Sequence, residues 1–121
     1  MNVRGLAATL ALLAVGTVLA ADANLAGSWT LQILSPQGKR TPSMVLAQEG
    51  NRLSGTYKGM RGEAPISGTI NGRDFDLTVT IVGADSTLVV EYKGQVSGDV
   101  LSGKVLMGRM GEANFTGARA R

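Results

Sequence analysis

"RLSGTYKG", residues 52–59, alternates apolar and polar residues as a half-buried β-strand does, yet Gly55 stands in the middle of its apolar side. Glycine inside a strand costs about 0.5–1 kcal/mol relative to alanine. The placement recurs in "APISGTI" (64–70), "VEYKGQV" (90–96), "VLSGKVL" (100–106) and "NFTGARA" (114–120), at Gly68, Gly94, Gly103 and Gly117. A sheet with one apolar face must curl to bury that face, and strong coiling crowds its concave side. Bare positions there relieve the crowding, and a large ring on a neighbouring strand can cover the exposed backbone. Burying such a ring contributes roughly 1.5–3 kcal/mol, more than the glycine costs. Five glycines on one face therefore predict a bent, closed sheet.

Outward from this stretch, period-two alternation repeats along the chain, broken by glycine, asparagine and aspartate; no segment beyond residue 20 sustains helical spacing for more than two turns. Strands are predicted near 27–35, 42–49, 52–59, 64–71, 73–82, 86–97, 100–108 and 112–120. Gly50-Asn51, Asn71-Gly72 and Gly98-Asp99 read as tight turns. Because every connection is short, sequential strands should pair as antiparallel neighbours. All five aromatic residues (Trp29, Tyr57, Phe75, Tyr92, Phe115) fall on the apolar side, whereas Thr30, Thr56, Lys58, Ser67, Asp74, Asp76, Glu91, Lys93 and Lys104 fall on the other. The expected fold is all-β: a single eight-stranded antiparallel up-and-down meander β-barrel. Its polar exterior is the inverse of an outer-membrane barrel, so no stable membrane insertion of the mature chain is expected.

The first 20 residues read as a secretory leader: Arg4, an apolar run from Leu6 to Val15, then the small-residue site Val18-Leu19-Ala20. Cleavage is expected after Ala20, with Ala21 as the alternative, leaving the barrel domain at 21–121. The apolar run is short for a retained membrane helix, which needs roughly 20 apolar residues. The expected location is secreted or periplasmic. With no cysteine, both a disulfide framework and a lipid-anchoring cysteine are excluded. The chain has 12 basic and 9 acidic residues, one of the basic ones, Arg4, in the leader; this slight, scattered excess does not suggest a nucleic-acid partner.

"LSGTYKGMRGEAPISG" (53–68) echoes "LSGKVLMGRMGEANFTG" (101–117) with one residue inserted, which predicts a repeated hairpin. "AGSWTLQI" (26–33) places glycine, one residue, then tryptophan on the first strand, and "FTGARAR" (115–121) places an arginine on the last. In this the chain resembles the calycins (lipocalins, fatty-acid-binding proteins and avidins). The resemblance implies that Gly27, Trp29 and Arg119 close the barrel, the arginine packing over the tryptophan. "GNRLSGTYKG" (50–59) is similar to the second hairpin of avidin-type barrels, and the recurring "SGT" strands resemble small bacterial secreted domains. The chain is shorter than typical lipocalins. It has one tryptophan where avidins grip biotin with several, so the resemblance carries the barrel and its closure but no ligand.

With neither histidine nor cysteine, the common nucleophile–base pairs and the usual zinc and copper sites are missing. Asp74 and Asp76 share a face, but the outer one, where they read as solubilising charges. No catalytic residue, metal or cofactor is expected, and the protein is read as no enzyme; a carboxylate-based hydrolase or isomerase is the fallback. The tight turns gather at one end of the barrel. The other end collects residues 35–43, 59–64, 82–86 and 108–113, with Lys39, Arg40, Met60, Arg61, Glu63, Arg109, Met110 and Glu112 as candidate binding residues. Basic residues there can make charge-assisted hydrogen bonds, and methionines adapt to apolar partners. A non-enzymatic binding or interaction module with a filled interior is expected to act through this mouth. The alternative is a carrier holding a hydrophobic or anionic small molecule inside the barrel. The partner is thus an unknown small molecule or protein, and Val45, Val89 and Leu106 form a faint outer strip that a homodimer could use.

Overall fold

The computed structural model describes residues 22–36, 38–60 and 62–120. The leader, Ala21, Gln37, Arg61 and Arg121 lie outside the described residues. The strands are β1 (Gly27–Ser35), β2 (Gly38–Arg40), β3 (Ser43–Glu49), β4 (Arg52–Gly59), β5 (Gly62–Asn71), β6 (Asp74–Val82), β7 (Thr87–Ser97), β8 (Val100–Leu106) and β9 (Glu112–Arg119). Each pairs antiparallel with its sequence neighbour from β3 to β9, β1 pairs with β3, and β9 returns to β1. The result is a closed up-and-down β-barrel.

Nine strand segments make eight staves. The pairs Thr30↔Ser43 and Ile33↔Arg40 belong to one register, so β2 and β3 are a single strand against β1. The break falls at Thr41-Pro42. Proline has no N–H to give to the ladder, but its carbonyl still accepts from Leu31 N–H at 2.8 Å. The predicted second strand, 42–49, thus began too late because the proline hid its first half. One turn also shifts. Asn71 pairs with Asp74, so the loop is Gly72-Arg73 rather than Asn71-Gly72, with Gly72 supplying a φ of 65°. Strand β8 ends at Leu106, short of the expected 108, because a single 3-10 turn, Gly108–Met110, follows it.

The five inward glycines occupy rungs where large residues flank them. Leu46–Gly55–Ile66, Leu53–Gly68–Leu77 and Leu31–Gly117–Leu101 are three such rungs, and Phe75–Gly94–Gly103–Phe115 is a fourth. The obstacle to a side chain is mainly the neighbouring strand's main chain, rather than crowding by side chains across the concave face. A Cβ at Gly55, Gly68, Gly94 or Gly103 would run into the carbonyl oxygen of Val45, Asp76, Ser102 or Lys93 respectively. These are the bends that let the sheet close. Phe75 and Phe115 stand three strands apart, yet their ring centroids approach to 6.2 Å, edge to face, across the bare Gly94–Gly103 pair. A single aromatic edge pair adds about 0.5–1.5 kcal/mol to the area it buries.

The repeat in the sequence is a repeat in space. Leu53↔Gly68, Gly55↔Ile66 and Tyr57↔Ala64 in the β4–β5 hairpin match Leu101↔Gly117, Gly103↔Phe115 and Val105↔Ala113 in β8–β9. The inserted residue is absorbed by the 3-10 turn. The two hairpins stand four strands apart in the ring, on opposite walls.

The tight-turn end is sealed by a strap, residues 22–26, which alternation does not reveal. Leu25 is fully buried, and its carbonyl accepts from Trp29 Nε1 at 2.9 Å. Gln48 holds the strap from the side: its Oε1 accepts from Leu25 N–H (2.7 Å), and its Nε2 donates to Ala23 O (2.9 Å). Asp22 accepts from Gly72 N–H at 2.7 Å. Arg119 lies over the Trp29 ring, 4.3 Å from its centroid. Its guanidinium donates to Asp99 Oδ1, Ala26 O and Asn24 O at 2.9, 2.8 and 3.1 Å. Gly27, at φ 126°, leaves the space beside that guanidinium bare. Above the seal, Trp29, Leu31, Leu46, Leu53, Ile70, Leu77, Val96 and Leu101 are all buried, and the lower half of the barrel is filled.

Candidate ligand-binding site

The upper half is not filled. Alternation sends Ile33, Ala64, Val90 and Val105 inward, and Ile81, Leu88 and Met107 above them are only partly buried. Together they wall a cavity of about 340 Å³ that opens between the loops at Met60, Gly62 and Met110. The expectation of a filled interior therefore holds for the lower half of the barrel and fails for the upper. Isoleucine, valine and alanine at these rungs lack the reach to meet across the lumen.

Two tyrosines bar the lumen at the base of this space. Tyr57 on β4 and Tyr92 on β7 rise from strands three apart, and their hydroxyls meet at 2.9 Å, either able to donate. Their rings lie 6.0 Å apart, and Tyr92 packs edge-on against Phe115 at 5.1 Å. A buried phenol needs a polar partner, and each supplies the other's. Burial is the first cause that raises the Tyr92 pKa well above the ordinary phenol value, with the Tyr57 hydroxyl adding to it. Burial also raises the Tyr57 pKa, opposed by the hydrogen bond with Tyr92 and by the nearby charge of Arg40. Both hydroxyls are neutral at physiological pH.

The structure divides the mouth residues read from the sequence. Arg40, Met60, Glu63 and Met110 line the cavity. Lys39 does not: it pairs with Leu34 on the outer face and lines a side recess of about 220 Å³ shared with Arg40, Thr41, Pro42 and Met60. Glu112 is turned outward to Lys104, at 3.1 Å, and Arg109 is exposed on the 3-10 turn. Arg61 lies outside the described residues. Glu63 is partnered by Lys58 at 3.7 Å, whereas Arg40 has no ion pair among the described residues. Alternation places Tyr57 and Tyr92 on the inner face, and the structure adds them to the site. The signal was there: two hydroxyl-bearing rings on one buried face must find partners. Carrying the alternation back through Pro42 from Met44 would likewise have put Arg40 inside.

One other expectation changes, and the outward placement of Asp74 and Asp76 holds. Val89 and Leu106 lie on adjacent strands, but Val45 on β3 stands four strands from β7, so the three form no continuous outer strip. Asp74 and Asp76 face outward, along an open groove of about 500 Å³ that they share with Lys93 and Gln95. Asp74 accepts from Gln95 Nε2 at 3.0 Å. The Asp76 pKa is raised, first by partial burial and then by Glu91 beside it, with Lys93 opposing. This is a network of exposed charges away from the lumen.

Compared with family models and with curated protein sequences, the chain matches no family and no curated protein. Its closed eight-stave meander is compatible with a calycin-like architecture.

Proposed function

We propose that the protein is a secreted or periplasmic, non-enzymatic binding module that holds one small hydrophobic molecule in the upper lumen. The observation that carries this reading is the cavity of about 340 Å³ above the tyrosine bar. Ligand sites run from about 300 to 1,000 Å³ and combine apolar walls with a few polar groups that orient the ligand. Here the walls are aliphatic and thioether, and the polar groups are the Tyr57 hydroxyl, Arg40 and Glu63. Burial of the ligand's apolar surface supplies the affinity, at roughly 25 cal/mol per Å² before the cost of immobilising it. The secreted location rests on the leader-like first 20 residues.

The test is octan-1-ol binding followed by methyl NMR. Titration is expected to shift the methyl signals of Val90, Val105 and Leu88 and to leave those of Leu46 and Leu101 in place. Ala64→Phe fills the space and should abolish the shifts. Shifts scattered over the outer surface, or shifts that survive Ala64→Phe, would overturn the reading. A protein partner gripping the rim is the second reading, favoured by Met60 and Met110, which are 86% and 64% exposed at the tips of opposed hairpins. On that reading, Ala64→Phe leaves partner retention intact and the double change Met60→Ser, Met110→Ser removes it.

A further inference from the structure

We propose that the ligand is a small monoanion: an apolar body of about ten non-hydrogen atoms carrying a carboxylate or a similar acidic group that sits against Arg40 and the Tyr57 hydroxyl. The inference rests on the cavity reading above and adds the ligand's charge, its size and the position of its head.

The charge follows from the ionic groups around the opening. Among the described residues, two charged side chains line the cavity, Arg40 and Glu63. Glu63 is ion-paired with Lys58 at 3.7 Å. Glu112, the carboxylate of the repeated hairpin, is held on the outer wall by Lys104, and Asp85 of the 83–86 loop is not part of the lining. Arg40 is left as a cation without an ion pair among the described residues, on the inner face of β2. Its charge also opposes the burial effect on Tyr57, which places the guanidinium within electrostatic reach of that hydroxyl. A guanidinium and a neutral phenol at one side of an apolar chamber can both donate to an acidic group. A ligand cation would meet Arg40, while the one lining carboxylate among the described residues, Glu63, is already paired with Lys58.

The size follows from the volume. About 340 Å³ is the room that roughly eleven waters occupy in the liquid, at about 30 Å³ each. The filled lower barrel and the Tyr57–Tyr92 bar stop a longer chain from threading deeper. A long-chain fatty acid would leave much of its tail outside, whereas a medium-chain or single-ring acid fits.

The proposal is tested by isothermal titration of the barrel with octanoate, octan-1-ol, octylamine and palmitate at low and high salt. Octanoate is expected to bind about tenfold more tightly than octan-1-ol at low salt, octylamine more weakly than either, and palmitate no more tightly than octanoate. The advantage of octanoate should shrink as salt rises, because Arg40 is at the rim. Arg40→Gln should cost octanoate about tenfold and octan-1-ol several-fold less, which separates lost charge recognition from misfolding. Octan-1-ol binding as well as octanoate would overturn the anion inference while the cavity reading stands. Palmitate binding more tightly than octanoate would overturn the size inference. Failure of all four ligands would overturn the cavity reading and this inference with it.

Discussion

A methyl group at Gly94 has nowhere to go: its carbon would run into the Ser102 carbonyl and crowd the tip of the Phe75 ring at 3.1 Å. At Gly117 the nearest atom is instead Leu31 Cδ2, 2.8 Å away, at the end of a side chain that can rotate. The two substitutions should therefore separate. Gly94→Ala is expected to destabilise by about 2 kcal/mol or more, through displaced backbone. Gly117→Ala should be near neutral, since the unfolded chain loses freedom worth about 0.4–1 kcal/mol and Leu31 gives way. Urea denaturation of both variants measures the difference, and equal costs would contradict the main-chain account of these bends. Tyr92 supplies a second residue-scale test. Its folded pKa is raised above the ordinary 10.0, so above that pH the unfolded chain ionises while the folded one still holds its proton. Stability is complete below about pH 10 and falls as pH rises, by up to about 1.4 kcal/mol per pH unit for one such group. Tyr92→Phe should flatten this alkaline decline, measured by denaturation between about pH 9 and 12.

At the scale of elements, the strap and the last strand depend on one side chain. Arg119 stacks on Trp29 and satisfies two strap carbonyls, so it joins residues 24–26 to both β1 and β9. Lysine keeps the charge but loses the planar face and the forked donors. Arg119→Lys is therefore expected to cost about 2 kcal/mol, from a weakened cation–π contact and lost charge-assisted bonds. It should also red-shift Trp29 fluorescence as water reaches the ring. An unshifted spectrum with unchanged stability would show that Leu25 alone seals this end. Most of this element-scale picture was legible in the sequence: the Gly27-x-Trp29 start and the terminal arginine mark the closure, and Gly50-Asn51 and Gly98-Asp99 fix two hairpin registers. The strap was not legible, because residues 22–26 carry neither period. They are held by Gln48, Gly72 and Arg119, contacts set by where distant strands end.

For the whole molecule, closure through β1 and β9 leaves the staves paired on both sides, save where the short β2 takes over the ladder at the mouth. It also requires the first and last strands to meet, a non-local pairing that favours slow, cooperative folding. The cavity makes a separate prediction at this scale. Filling it should not weaken the fold, since cavity-filling changes commonly add about 0.5–2 kcal/mol. Ala64→Phe is thus expected to be at least as stable as the parent while it loses ligand. A destabilised Ala64→Phe would mean the upper lumen is already packed.

The sequence by itself determined which side chains face inward, which turns are tight, that the two hairpins are copies, and that a ribbon with bare inner positions would roll shut. Each of these is written in spacing along one strand or across one turn. Only the tertiary structure decided that Arg40 stands in a cavity wall with no ion pair among the described residues, that Tyr57 and Tyr92 meet across the lumen, and that the barrel is solid below them and hollow above. The reason is geometric. The empty volume is the difference between the width of the closed ring and the reach of side chains from strands far apart in sequence, and no local pattern records that difference.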